Sequence, residues 1–149
     1  MKQHILYLHG FNSSPLSVKA QKTKEFLAKF LPEVKFHCPQ LATSPKQAID
    51  QLEQVIQKKG VNNLSQWYLI GSSLGGYFAT FLSQKYQVPA VLINPAVKPY
   101  QLLEEYIGKQ VNPYTGEVYY IESKYINDLK ILAQEKIVKK NSRKFALYG

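Results

Sequence analysis

The chain is poor in several things, and each shortage removes a class of protein. Among 149 residues there is one cysteine, Cys38. No internal disulfide can form, which suits a reducing, cytoplasmic compartment. A buried, inert thiol is the plain reading of Cys38. No run of about 18 apolar residues occurs, so no membrane span is expected. The apolar start that ends at His9-Gly10 reads as a first strand and not as a signal peptide. Arginine is nearly absent: of 19 basic residues only Arg143 is one, the rest being lysine. Base readers rely on guanidinium forks, so the net charge of +9 reads as lysines on solvated faces and not as a nucleic-acid surface. One cluster, Lys136, Lys139, Lys140, Arg143 and Lys144, would have to share a single surface to bind phosphate. The three histidines, His4, His9 and His37, are dispersed, and no Cys or His pair has metal-ligand spacing. No G-x-x-x-x-G-K loop is present. Neither a metal nor a cofactor is implied, and there is no internal repeat or low-complexity tract.

What the chain does have is concentrated in Trp67–Tyr86, WYLIGSSLGGYFATFLSQKY. An apolar run, Trp67 to Ile70, meets the turn Gly71-Ser72-Ser73-Leu74-Gly75. Leu74, Phe78, Phe81 and Leu82 then repeat at helical spacing. This is strand, sharp turn and helix, with Ser73 at the centre of a G-x-S-x-G pattern. The pattern has a mechanical reason: a serine in a strained turn is lifted above the sheet, and small residues let the chain bend. Three fixed positions match by chance in roughly one chain of this length in twenty. The bland alternative is a glycine-rich turn that only lets a helix pack close to a sheet.

Around that stretch, elements alternate. Ile5–Leu8 reads as a strand. Phe26, Leu27, Phe30 and Leu31 form the inward stripe of a helix ended by Pro32. Val34–His37 is a second strand. Ser44-Pro45-Lys46-Gln47 reads as a capped helix start, with Ala48, Leu52, Val55 and Ile56 as its buried stripe and Lys59-Gly60 as its end. Val88–Ile93 is the strand after the elbow helix. This order predicts one α/β domain over residues 1–149, a parallel sheet with helices on both faces. Ligands in such sheets bind beyond the carboxyl ends of the strands, where His9, Phe11, Ser73 and Asn94 fall.

Between Asn94 and the last apolar run, Phe145–Tyr148, Tyr125 to Ile137 reads as one amphipathic helix. Residues 99–123 read as an insertion holding Tyr100, Tyr106, Tyr114, Tyr119 and Tyr120, with Tyr125 just past its end and a turn at Asn112-Pro113-Tyr114-Thr115-Gly116. Tyrosine joins an apolar body to a polar tip, which suits a lid over a pocket. Tyrosines simply packed on the sheet fit equally well.

Leu6-Tyr7-Leu8-His9-Gly10-Phe11-Asn12-Ser13-Ser14, the elbow, Ile93-Asn94-Pro95-Ala96-Val97 and the NPYTGE of the insertion together resemble the small bacterial serine esterases of the YqiA type, in the α/β-hydrolase superfamily. The resemblance implies that Ser73 attacks an ester or thioester carbonyl. It makes the backbone N–H groups of Leu74 and Phe11 the oxyanion donors. His9 is expected to shape the loop rather than take the serine proton. Residues nominated for substrate contact are His9, Asn12, Tyr77 and Asn94. The expected partner is a small-molecule ester, with neither nucleic acid nor membrane.

The resemblance also implies an acid and then a histidine after Ser73, and all three histidines precede it. The expectation is therefore an α/β-hydrolase fold lacking its C-terminal strand and helix, a shortened esterase of impaired activity. The alternative is a binding protein that keeps the pocket without turnover. The last strand, left as a bare edge, gives a homodimer a place to pair.

Overall fold

The computed structural model describes residues 2–57 and 66–133, together with the backbone of 58 and of 145–148. The expected helix end at Lys59-Gly60, the Lys136–Lys144 cluster and Ile137 lie outside them.

β1 (His4–Leu8), α1 (Val18–Phe30), β2 (Lys35–His37), α2 (Pro45–Lys58), β3 (Trp67–Ser72), α3 (Leu74–Tyr86) and β4 (Ala90–Ile93) alternate as the sequence predicts. α4 (Pro99–Leu103), a 3-10 turn at Glu104–Tyr106, β5 (Gly108–Val111), β6 (Val118–Ile121), α5 (Lys124–Ile131) and β7 (Phe145–Tyr148) follow. The main sheet has the order β2-β1-β3-β4-β7, and every pair in it is parallel. This is the parallel sheet with helices on both faces that the alternation of elements predicts. Ser44 starts α2 as expected, its Oγ accepting from the Gln47 N–H at 3.4 Å while Pro45 fills the first turn.

Register sorts the side chains onto two faces, because strand neighbours alternate. Leu6, Leu69 and Ala90 lie in one row, and Leu8, Gly71 and Leu92 in the next. These rows join Ala48, Leu52 and Ile56 of α2, Phe78 and Leu82 of α3 and Leu129 of α5 in the main core. The opposite rows, Ile5 with Tyr68 and Tyr7 with Ile70 and Val91, face α1. Moving from β1 to β2 reverses the direction of the sheet, so a right-handed crossover carries α1 to the face that α2 and α3 do not use.

Three details depart from the sequence reading. In α1 only Ala20 and Leu27 are buried, whereas Phe26 and Phe30 are 57% and 58% exposed. Of the expected stripe Leu27 is buried, joined by Ala20 two turns before it, while Phe26, Phe30 and Leu31 lie outside, the two rings tilted against each other with centroids 4.8 Å apart. The strand before Asn94 starts at Ala90, not Val88, since Val88 packs in the core before pairing begins. The insertion holds a β-hairpin, β5 with β6, that strands of four half-exposed residues gave no periodicity to announce. Its loop is the turn expected at Asn112: the Asn112 Oδ1 accepts from the N–H of Tyr114 (2.8 Å) and Thr115 (3.1 Å).

Candidate active site

β3 ends at Ser72 and α3 begins at Leu74, so the whole change of direction falls on Ser73, at φ 55° and ψ −120°. A residue with a Cβ pays on the order of 1–3 kcal/mol to stay there, and persists only where neighbours over-determine it. They do. The Ser73 N–H donates to the Ile93 carbonyl (3.1 Å), and the Ser73 carbonyl accepts from the N–H groups of Gly76 (3.0 Å) and Ala96 (2.9 Å). The end of β4 and the Asn94-Pro95-Ala96 segment thus pin the elbow.

The glycine spacing has a measurable reason. A Cβ at Gly71 would fall 2.4 Å from the Gly75 carbonyl oxygen, and one at Gly75 would fall 2.0 Å from that of Leu8. The first turn of α3 lies directly against the ends of β3 and β1. A Cβ at Gly10 would come within 3.0 Å of Ser73 Cβ and 3.4 Å of its Oγ. The loop after β1 therefore presses on the serine, and any side chain there would crowd the hydroxyl.

Ser73 is half-buried and does not cap α3. Two clefts meet at the Gly10-Phe11 segment. One, of about 270 Å³, is lined by Tyr7, Ser17, Lys19, Ser72, Ser73 and Tyr114 along with the loop. The other, of about 60 Å³, runs under the hairpin between Phe11, Leu41, Leu74, Phe78, Tyr119 and Ile121. Phe11 lines both. Leu74 is the first residue of α3, where an N–H has no intrahelical acceptor. The Phe11 N–H meets no backbone carbonyl among the described residues. A half-buried hydroxyl that lines a cleft beside such donors has the parts needed to attack a carbonyl and hold the charge that develops.

His9 is 4% exposed and both its ring nitrogens are engaged. Nε2 accepts from the Leu41 N–H at 2.9 Å, so the proton sits on Nδ1, which donates to the Gly10 carbonyl at 3.0 Å. Burial lowers its pKa. It holds the loop and has no nitrogen to offer Ser73. His37 ends β2, two strands from β3, and bonds His4 at 3.0 Å.

Among the residues nominated for substrate contact, Asn12 lines the narrower cleft. Tyr77 lies elsewhere: it is 6% exposed and its hydroxyl donates to the Leu129 carbonyl. Burial pushes that hydroxyl up to about 12. One helical turn past Ser73 points into α5, not into a cleft. Asn94 is exposed and lines neither cleft. Its backbone matters instead: Asn12 (φ 52°), Ser73 and Asn94 (φ 44°) all take left-handed conformations at the carboxyl edge of the sheet. Asn112 and Tyr119 also reach this region, from about a hundred residues away, and so does Tyr7. The turn at Asn112 and the tyrosines of the insertion are the sequence signal for the first two, while Tyr7 carries none of its own.

The profile of a family described as an uncharacterised protein family, UPF0227, matches residues 4–148. Among solved structures, Est1E of Butyrivibrio proteoclasticus bound to ferulic acid superposes with a TM-score of 0.69 at 13% identity, over 97% of this chain and 67% of that one. Alpha/beta hydrolase domain-containing protein 10 from mouse gives 0.62 at 18%, over 88% and 62%. Tomato methylketone synthase I, complexed with beta-ketoheptanoate, gives 0.63 at 11%, over 99% and 78%. The chain thus spans about two thirds of Est1E and less of the mouse protein. At these identities the likeness is one of fold.

Proposed function

This chain belongs to the uncharacterised protein family UPF0227, and from that membership and the elbow geometry we propose that it is a hydrolase of small carboxylic esters or thioesters. Ser73 is the nucleophile and the N–H groups of Phe11 and Leu74 are the oxyanion donors. The narrow cleft under the hairpin, where Phe11, Leu74, Phe78 and Ile121 supply an apolar wall, takes the acyl group, and the wider cleft that contains Ser73 takes the leaving group. One observation carries the reading. A serine is held in a conformation that disfavours it, pinned by three backbone hydrogen bonds, with the loop after β1 pressed against its side chain.

Among the described residues no imidazole serves Ser73, and loss of the triad histidine costs on the order of 10⁶ in turnover in a protease that has been dissected. Slow hydrolysis is therefore expected from these residues alone. The test is release of p-nitrophenol from p-nitrophenyl butyrate by the chain and by Ser73→Ala. Slow turnover that vanishes in the variant is expected, and equal rates in both would sink the reading.

A second reading, a binding protein of the same fold without turnover, draws on the engagement of both His9 nitrogens. It expects ester or acid ligands to bind while a fluorophosphonate leaves Ser73 unlabelled.

A further inference from the structure

Three consecutive residues of the loop after β1 are each held by a residue of the insertion. The Phe11 ring packs on the Tyr106 ring with centroids 5.2 Å apart. The Asn12 Oδ1 accepts a hydrogen bond from the Tyr119 hydroxyl. The Ser13 carbonyl accepts from Asn112 Nδ2 at 3.0 Å. Asn112 is 7% exposed although it stands at a hairpin tip, where side chains usually meet water. Its other end is committed too, since Oδ1 closes the hairpin turn on Tyr114 and Thr115. One carboxamide therefore fixes both the tip of the hairpin and the loop it covers. Gln40 adds a second, more exposed donor to the Ser13 carbonyl at 3.2 Å.

The loop needs such support. Asn12 sits at φ 52°, a conformation that a non-glycine residue leaves when its surroundings permit. Relaxation there would rotate the peptide units on either side, including the one next to the Phe11 N–H. A donor is effective only if it already points to where charge develops, and a displacement of about 1 Å can cost on the order of a hundredfold.

We propose that the hairpin is a clamp and not a mobile lid, with Asn112 and Tyr119 as positioning residues that hold the Phe11 N–H toward Ser73. The inference rests on the esterase reading, because it presumes that Phe11 is an oxyanion donor.

Two variants separate the clamp from the fold. Asn112→Asp keeps the acceptor that closes the turn and loses the donor to Ser13. Tyr119→Phe keeps the ring and loses the hydroxyl. For each, hydrogen exchange of a peptide covering residues 10–14 is measured beside kcat and KM for p-nitrophenyl butyrate and beside the urea midpoint. Expected are faster exchange in that peptide, a fall in kcat of roughly ten- to a hundredfold, and KM within about twofold. Unchanged exchange in both variants overturns the clamp. So does faster exchange with kcat intact, or a rise in KM without a fall in kcat. A wild-type rate that survives Ser73→Ala is a different failure: it removes the esterase reading, and the clamp's catalytic purpose with it.

Discussion

On one face of the sheet Leu6, Leu8, Leu69 and Leu92 lie under α2, α3 and α5, and their cluster takes in Trp67, Phe78, Leu82 and Leu129. On the other, Ile5, Tyr68, Ile70 and Val91 share their side with α1, which among the described residues contributes only Ala20 and Leu27 to burial. Tyr68 is 36% exposed, while Trp67 and Leu69 on either side of it are fully covered. The first face supplies most of the apolar burial, the dominant favourable term in folding. It also carries α3, and therefore the serine, to the sheet's edge. The second face leaves room, and the wider cleft opens there, beside Tyr7, Ser72 and Lys19. Most of the apolar burial thus lies on one side of the sheet and the wider cleft on the other, and the elbow stands where they meet.

The largest test of this division is Gly75→Ala. Its Cβ would lie 2.0 Å from the Leu8 carbonyl oxygen, and backbone on both sides leaves nothing flexible to give way. α3 would have to lift from β1, and a loss above about 4 kcal/mol is expected, in the range that marks a named structural clash. Gly116→Ala is the control. Nothing lies within 4 Å of its added methyl, but φ is +72°, so it should cost only on the order of 1 kcal/mol. Urea denaturation of the two variants measures both. Similar midpoints would mean that α3 does not press on the sheet as described.

A smaller test compares consecutive residues of β3. Leu69→Ala opens a cavity in the main core and should cost about 2–5 kcal/mol. Tyr68→Ala removes a larger side chain from the open face and should cost less than about 1.5 kcal/mol, since part of it already meets water. Equal losses would show the two faces to be equally packed and would break the comparison.

How far the sequence disclosed this follows from the range of each constraint. The elbow was legible because a strained turn demands small residues at fixed offsets within five positions, Gly71 to Gly75. The alternation of strands and helices was legible for the same reason, each element carrying its own period and its own stop. The flank of α1 was not. Phe26, Leu27 and Phe30 are all apolar and within about one turn, and only the placement of α1 on the sheet decides that Leu27, with Ala20, is buried while the two rings stay outside. Tyr77 misled because position along a helix fixes distance from Ser73 but not direction. The hairpin's grip on the loop joins residues 99 and 107 apart in sequence, and no local pattern carries such a contact.

The smallest effect concerns His9, which ties the two sides together at the head of the sheet. Burial lowers its pKa from 6.5, while the Gly10 carbonyl, accepting from Nδ1, opposes the shift in part. Above about pH 6.5 the ring is neutral in the folded and unfolded chains alike, and its contribution to stability is whole. Below that value the unfolded chain takes up a proton that the folded chain resists. Stability therefore declines as the pH falls, until the folded-state value is passed. The cause is local: protonated Nε2 becomes a donor facing the Leu41 N–H, also a donor, and the bond that anchors the approach to α2 is lost. Urea midpoints from about pH 7.5 to 5.5 should fall more steeply for the natural chain than for His9→Gln, which has no ring to charge. Parallel slopes would show that His9 is solvated and does not join the loop to the β2–α2 connection.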